Sequence, residues 1–225
     1  MHKIIKNKMS NDISESVSQR GYGAYDAENR RIQEISDELQ RLCRLHEAQS
    51  GVGQGNGGAN RFEIEQRVAE LYAKSVGIWI PMDKVFDLGD PGPSGNENDT
   101  YVSNDTIYKV NNLLNAGGIC NLLEKILLHN QIFPNTSYKF YGFAGYDGRS
   151  VCPVLEQERI CNAKPATQIM IDTYMSALGF SKEDAVGRFS NGIYLVWDVV
   201  PRNVLVDADG DMYVVDAEIK VDAII

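Results

Sequence analysis

The chain has 225 residues, 43% of them hydrophobic and 24% charged, which is typical of a folded domain and not of a disordered chain. This length allows one domain with an extension, or two small lobes. The net charge of −9, without any cluster of lysine and arginine, argues against a nonspecific binder of nucleic acids or anionic membranes, because phosphate groups require such clusters.

The first segment, residues 1–77, is predicted to be a helical extension. Its start is basic but lacks the apolar core of a secretory signal, and no apolar run in the chain is long enough to cross a membrane. Apolar side chains at three- and four-residue steps predict helices over residues 27–48 and about 61–75. The glycine-rich stretch 50–60 predicts a flexible linker, since it lacks the G-K-[ST] of a phosphate-binding loop.

Short β-prone runs begin at about residue 78. The predicted strands cover residues 84–88, 100–103, 106–111, 138–144 and 150–157. A predicted helix at about 117–131 separates the third strand from the fourth, and another helix follows at about 165–178. This order predicts an α+β fold in which a sheet-rich segment, 78–157, precedes a second segment, 158–225.

The C-terminal stretch contains the most informative pattern. β-prone residues on both sides of Asp209-Gly210 predict a hairpin. Asn203 lies just before its first strand and Asp216 just after its second, so symmetry about the turn predicts that they face each other, with Cβ atoms about 5 Å apart. An amide oxygen and a carboxylate at that separation can share one Mg²⁺ ion. The hairpin therefore predicts a metal site.

The same hairpin offers a second interpretation, a calcium loop. Asp207, Asp209, Asp211 and Glu218 match positions 1, 3, 5 and 12 of an EF-hand. The glycine that this loop requires is replaced by Met212, and the flanking residues favour strands instead of helices. A solvated hairpin turn is the better interpretation of these aspartates.

Asp198 stands five residues before Asn203, and the hairpin that follows ends in a second aspartate. In the catalytic loop of protein kinases, D-x-x-x-x-N supplies a base and a Mg²⁺ ligand. These residues resemble the catalytic and metal-binding core of the protein-kinase-like superfamily. More narrowly, segments 92–102, 107–111 and 198–218 resemble the compact kinase domain of polyvalent proteins from phages and conjugative elements.

The resemblance covers about residues 78–219 and implies a two-lobe fold. The N-lobe, 78–157, is expected to be a five-stranded antiparallel sheet with one helix, and the truncated C-lobe, 158–225, to be mostly helical. The sequence departs from the family where Val196-Trp197 replace His-Arg and where D-A-E replaces D-F-G. Only nine residues follow Asp216, too few for an activation segment, which puts protein phosphorylation in more doubt than nucleotide binding.

The resemblance also implies ATP and Mg²⁺ as cofactors. Lys109 would hold the phosphates, Asp198 would orient or deprotonate the acceptor hydroxyl, and Asn203 and Asp216 would bind the metal. All four are expected in one cleft, with Lys109 and Asp216 about 4 Å apart. The alternative for Lys109 is a solvated lysine on a strand edge.

Weaker correspondences concern five further residues, in three segments. Gly92 and Gly95 resemble a loop that covers the phosphates, although a plain hairpin loop is the alternative. Glu124 is expected to pair with Lys109, unless it is a solvated surface residue. Glu156-Gln157, at the end of the fifth strand, resembles the hinge whose backbone binds adenine.

The leading hypothesis is an ATP- and Mg²⁺-dependent phosphotransferase whose acceptor is an unknown protein or small molecule. The alternatives are a nucleotide-binding pseudokinase, a small-molecule kinase resembling aminoglycoside phosphotransferases, and a structural module of a mobile element that binds no nucleotide. No nucleic acid or membrane partner is expected. A reducing cytoplasm is expected, because no CxxC pair or zinc spacing occurs among the four cysteines, Cys43, Cys120, Cys152 and Cys161.

Overall fold

The structure, a computed structural model, describes residues 26–48, 57–183 and 187–222. It begins with two helices, α1 over residues 26–48 and α2 at Gly57–Val76. Both predicted helices are confirmed, and α2 starts inside the stretch predicted to be a linker. The rest of that stretch and the chain before residue 26 lie outside the described residues.

Helices α1 and α2 share one core with the sheet that follows them. Ile32, Ile35 and Leu39 of α1 are buried at steps of three and four residues, as an amphipathic helix requires. Ile64 and Val68 of α2 are buried in the same cluster. The predicted domain boundaries stay predictions, but the two helices pack directly on the neighbouring segment.

A six-stranded sheet follows α2, and helix α3, Ile119–Ile132, lies between its fourth and fifth strands. The strands are β1 Trp79–Pro81, β2 Asp90–Pro91, β3 Asn98–Ser103, β4 Thr106–Asn111, β5 Tyr138–Gly145 and β6 Val151–Glu158. Their order in the sheet is β1-β5-β6-β4-β3-β2. All neighbours are antiparallel except β1 and β5, which are parallel.

The predicted five-stranded antiparallel sheet is therefore wrong in strand number and in one strand direction. The sixth strand, β1, enters directly from α2, which packs against β5 and β6 and so delivers the chain to that edge. The predicted strand over 84–88 is also wrong, because Met82–Leu88 forms a 3₁₀ helix. Its one buried residue is Val85, so the alternating burial of a strand is missing.

The segment after β6 contains one α-helix and seven short strands within the described residues. They are β7 Lys164–Pro165, α4 Gln168–Ala177, β8 Ser181–Lys182, β9 Phe189–Ser190, β10 Tyr194–Trp197, β11 Val204–Val206, β12 Met212–Val214 and β13 Glu218–Val221. The strands form a four-stranded sheet, β13-β10-β9-β8, and a three-stranded sheet, β12-β11-β7. The prediction of a mostly helical segment is wrong, because runs such as Tyr194–Trp197 are β-branched and aromatic and pair as strands.

Helix α3 joins two hydrophobic cores. Leu122 and Ile126 belong to the core that α1 and α2 share with the large sheet. Leu128, near its end, and Phe133, just after it, pack into a second core with α4 and the two small sheets. The chain is thus an α+β protein in which α3 connects the large sheet to the segment after residue 158.

Neither a membrane span nor a reactive buried thiol is found in the described part of the chain. No helix there is long and apolar enough to cross a membrane. All four cysteines are free. Burial raises the pKa of Cys43 to about 11 and that of Cys120 to about 12, so both thiols stay protonated and unreactive at neutral pH.

His129 is a fully buried histidine of α3. Its Nε2 lies 3.2 Å from the carbonyl oxygen of Thr136, and Nδ1 has no hydrogen-bond partner within the described residues. Burial, reinforced by the nearby Lys109 ammonium, lowers the pKa of His129 from 6.5 to about 3. The folded protein therefore keeps this ring neutral in mildly acidic solution.

We predict that His129 makes the fold sensitive to acid. As the pH falls below about 6.5, the unfolded chain binds a proton that the folded chain does not bind until about pH 3. Stability should fall in that window by up to about 1.4 kcal/mol per pH unit from this group. The variant His129→Leu should show a shallower loss of stability in urea titrations between pH 6.5 and pH 4, and an unchanged slope would contradict the prediction.

Candidate active site

The main chain of Val215, between β12 and β13, joins three distant segments. Its carbonyl oxygen accepts hydrogen bonds from the Lys109 ammonium on β4 and from the Tyr138 hydroxyl on β5, both at 2.9 Å. Its N–H donates to the carbonyl oxygen of Asn203 at 2.9 Å. Lys109 also donates to the Tyr138 hydroxyl at 3.0 Å. This junction brings Lys109 to the residue immediately before Asp216.

Lys109 is almost completely buried, with 8% of its surface exposed. It lies on β4, which has neighbours on both sides, so it is not a solvated lysine on a strand edge. Lys109 and Asp216 line one cavity of about 20 Å³, room for a single water molecule. Burial lowers the pKa of the ammonium, and the Asp216 carboxylate opposes that effect.

Lys109 and Asp216 are neighbours, but the predicted direct contact is not formed. The ammonium donates to Tyr138 and to the carbonyl oxygen of Val215, and no ion pair joins it to Asp216 among the described residues. A main-chain acceptor thus occupies the position that the prediction gave to the carboxylate. The negative charge of the Asp216 carboxylate still favours the protonated form of Lys109, but it does so without a direct contact.

The hairpin between β11 and β12 differs from its predicted register by one residue. Val204 pairs with Val214, so Asn203 lies opposite Val215 and not opposite Asp216. The turn explains the shift, because the Asp207 carboxylate accepts hydrogen bonds from the N–H groups two and four residues later, at 3.0 and 2.9 Å. The loop is therefore centred on residue 209, and the predicted symmetry between 209 and 210 is wrong.

These hydrogen bonds also decide against the calcium loop. One carboxylate oxygen of Asp207 accepts hydrogen bonds from the two N–H groups of the turn, and the other accepts a hydrogen bond from the Tyr213 hydroxyl at 3.0 Å. In the described segments, no group of three or more histidine, cysteine, aspartate or glutamate side chains can hold a metal ion. An aspartate and an asparagine therefore suit a metal only when a phosphate ligand and water supply further oxygens, as is usual for Mg²⁺.

Asp198 and Asn203 are brought together by the short loop between β10 and β11. The Nδ2 of Asn203 donates to the Asp198 carboxylate at 2.8 Å and to its carbonyl oxygen at 2.9 Å. Arg202 forms an ion pair with the other carboxylate oxygen. Asp198 has a φ of 61°, a left-handed conformation that is uncommon for residues other than glycine and is concentrated at functional sites. The loop thus fixes the carboxylate, and the amide oxygen of Asn203 accepts no hydrogen bond from the residues that the structure describes.

Asp198 faces an open cleft of about 490 Å³. One face of the β10–β13 ladder lines the cleft, since Leu195 lies opposite Lys220 and Trp197 opposite Glu218. Val196 and Ile219, which alternate with these residues, lie in the second core. The period-two alternation of strands therefore separates a cleft surface that carries charged side chains from an apolar core surface.

Helix α3 presents a lysine, and not the predicted glutamate, to this region. Glu124 is exposed and forms no ion pair in the described part of the chain, so its predicted pairing with Lys109 is not formed. Each residue advances about 100° around a helix, and Glu124 lies opposite the buried face of Leu123 and Ile126. Lys125 flanks that face and lines the same cavity as Lys109.

The predicted glycine loop is a tight hairpin between β2 and β3. The N–H of Gly92 donates to Thr100 at 2.8 Å and that of Gly95 donates to Asn98 at 3.0 Å, so neither is free for a phosphate. A Cβ atom at Gly92 would lie 2.7 Å from Oγ1 of Thr100, whereas one at Gly95 would meet nothing within 4 Å. The plain-hairpin alternative describes this loop better, and only Gly92 is required by packing.

The predicted hinge residues lie inside the large sheet. Glu156 and Gln157 belong to β6, which pairs with β4 on one side and β5 on the other. Their backbone groups therefore lie within the hydrogen-bonded sheet. The Gln157 side chain is buried and donates to the carbonyl oxygen of Thr136 at 2.7 Å. Residues 160–162, just after β6, make no backbone–backbone hydrogen bond within the described chain.

Comparison with known families identifies a match to most of the chain. A family described as serine/threonine/tyrosine kinase found in polyvalent proteins matches residues 63–223. The match begins inside α2 and includes Lys109, Asp198, Asn203 and Asp216. A search of curated proteins finds no match.

We predict that the Tyr138 hydroxyl stabilises the junction at Val215. The variant Tyr138→Phe loses the bond to Val215 and removes one acceptor from the buried Lys109 ammonium. It should lower the free energy of unfolding by about 1–3 kcal/mol. Tyr141→Phe on the same strand is the control, since Tyr141 is 42% exposed and its ring contact with Tyr108 needs no hydroxyl. Equal urea midpoints for the two variants would contradict the role of Tyr138.

Proposed function

Because the chain belongs to the family of serine/threonine/tyrosine kinases found in polyvalent proteins, we propose that it transfers a phosphoryl group from ATP to a hydroxyl group with the help of Mg²⁺. Family membership indicates a kinase-type phosphotransferase. In the proposed arrangement, the six-stranded sheet with α3 is the N-lobe, and the segment after β6 is a C-lobe built mainly from small sheets. Residues 160–162 connect the two and would hold the adenine base.

The observation that carries this proposal is the junction at Val215. Lys109 precedes Val215 by 106 residues, so no local sequence effect brings them together. The N–H of the same residue connects to Asn203, which in turn holds Asp198. A cation, an amide oxygen and two carboxylates around one junction are the groups that phosphoryl transfer requires for positioning and charge stabilisation.

Each residue has a distinct proposed role. The Lys109 ammonium would contact a phosphate, and Asp198 would accept the proton of the acceptor hydroxyl, held for this by Asn203 and Arg202. The amide oxygen of Asn203 and the Asp216 carboxylate suit Mg²⁺, a hard ion that prefers oxygen ligands and would neutralise phosphate charge. Since the cavity at Lys109 holds only about one water, nucleotide binding must widen it.

A small-molecule acceptor is a second candidate for the substrate class. The cleft beside Asp198 has a volume of about 490 Å³, within the range of about 300–1,000 Å³ that is usual for small ligands. Trp197 and Lys220 offer an aromatic surface and a cation on that cleft. A peptide hydroxyl at the end of a side chain would reach the same carboxylate.

We predict that two substitutions separate binding from chemistry. Lys109→Met should weaken binding of Mg²⁺·ATP by about ten-fold or more, because a charge-assisted phosphate contact is lost. Asp198→Asn should bind nearly as well as the wild type but turn over about 10²- to 10⁴-fold more slowly, because the base is lost. Binding is measured by calorimetry and turnover with labelled ATP against water, peptides and small alcohols.

The control variant is Lys139→Met, which removes a lysine of the same sheet that is 61% exposed and paired with Glu156. It should bind and turn over like the wild type. Equal ATP affinity for Lys109→Met and the wild type, or no affinity in either, would contradict the proposal. Binding without turnover in the wild type would instead indicate a pseudokinase.

A further inference from the structure

Lys125 of α3 lies in the wall between the small cavity of Lys109 and the open cleft. It lines the cavity, while its two ion-pair partners, Glu97 and Glu218, line the cleft. The three side chains are largely buried, with between 17% and 20% of each exposed. This is therefore a shielded contact that joins three elements of the fold and not a surface ion pair.

Glu97 fixes one side of this contact. It lies in the hairpin loop between β2 and β3, 3.7 Å from Lys125, and accepts a hydrogen bond from the Asn115 side chain. Its carbonyl oxygen accepts from the N–H of Asn112 at 2.9 Å. The loop is thereby attached to the segment that leads into α3. Displacement of Lys125 would remove the ion pair between this loop and the helix, although the bonds from Asn112 and Asn115 would remain.

Glu218 fixes the other side of the contact. It pairs directly with Lys125, follows Asp216 by two residues, and lies opposite Trp197 in the β10–β13 ladder. Trp197 immediately precedes Asp198. The ion pair therefore connects Lys125 to both functional segments. Glu218 leads to Asp216 along the chain, and it leads to Asp198 through its strand partner Trp197.

We propose that Lys125 is a positioning residue of the phosphotransfer site, which holds the β2–β3 loop and the Asp216 segment in their places for nucleotide binding. This inference rests on the proposed function. Protein kinases connect a strand lysine to a helix glutamate for the same purpose. Here the helix supplies the cation, the strand after Asp216 supplies the carboxylate, and Val215 and Tyr138 hold Lys109 instead.

A purely stabilising role is the competing explanation, but the burial of the pair makes it the weaker one. Removing charges from water costs free energy that a buried ion pair recovers only in part, so such a pair is weak evidence for stability. Without Lys125, the carboxylates of Glu97, Asp216 and Glu218 would repel one another, and Lys109 would offset only part of their charge. The added negative charge would also repel the triphosphate of a nucleotide that binds at this site.

The test is a charge swap between Lys125 and Glu218. Binding of a non-hydrolysable ATP analogue with Mg²⁺ is measured by calorimetry for the wild type, Lys125→Glu, Glu218→Lys and the double variant, below the melting temperature of each. Each single variant should bind about ten-fold more weakly, and the double variant should recover to within about two-fold of the wild type. Glu124→Lys, an exposed reversal on the same helix, should bind like the wild type.

A stabilising role alone would lower the melting temperatures without ligand but leave the affinity of the folded variants unchanged, and that result would overturn the proposal. A double variant as weak as the single ones would also overturn it. Where a reversal prevents folding, Lys125→Gln should bind about ten-fold more weakly and Lys125→Arg within about three-fold of the wild type. Absence of binding by the wild type itself would overturn the proposed function, a failure distinct from that of Lys125.

Discussion

The main chain of Val215 is the constraint on which the candidate site depends. Its carbonyl oxygen receives the buried Lys109 ammonium and the Tyr138 hydroxyl, and its N–H completes the pairing with Asn203. A buried ammonium without such acceptors would lose its hydration and gain nothing, so this carbonyl oxygen makes the burial of Lys109 tolerable. Because Asp216 follows directly, the same bonds determine where the second aspartate of the motif lies.

Two lysines, Lys109 and Lys125, offset the negative charge of the carboxylates near this junction. Glu97, Asp216 and Glu218 surround Lys125. Burial, reinforced by repulsion from Glu97 and Asp216, raises the pKa of Glu218 despite its ion pair. Lys109 and Lys125 together leave the group with one excess negative charge. A triphosphate alone would enter unfavourably, whereas a divalent cation would bring the compensating charge. The proposed dependence on Mg²⁺ is thus consistent with the residues present.

Residue spacing alone identified only the local parts of the site, whereas Lys109 was named through the family resemblance. Asp198 and Asn203 meet because they lie five positions apart in a loop that contains a proline, and the hairpin follows from its turn residues. The register shift arises from hydrogen bonds to Asp207, which residue types alone do not specify. The roles of Lys125 and Val215 were not predictable, since one depends on how α3 is rotated against the sheet and the other on a main-chain group without a side-chain signal.

The central claim is that Lys109, Asn203 and Asp216 act on one nucleotide, and a crystal structure with a non-hydrolysable ATP analogue and Mn²⁺ in place of Mg²⁺ tests it most directly. Anomalous scattering should locate the metal at about 2.1–2.2 Å from the amide oxygen of Asn203 and the carboxylate of Asp216. The Lys109 ammonium should lie about 2.8 Å from a phosphate oxygen. A metal bound elsewhere, with Lys109 still enclosed beside Val215 and no phosphate in reach, would contradict the account.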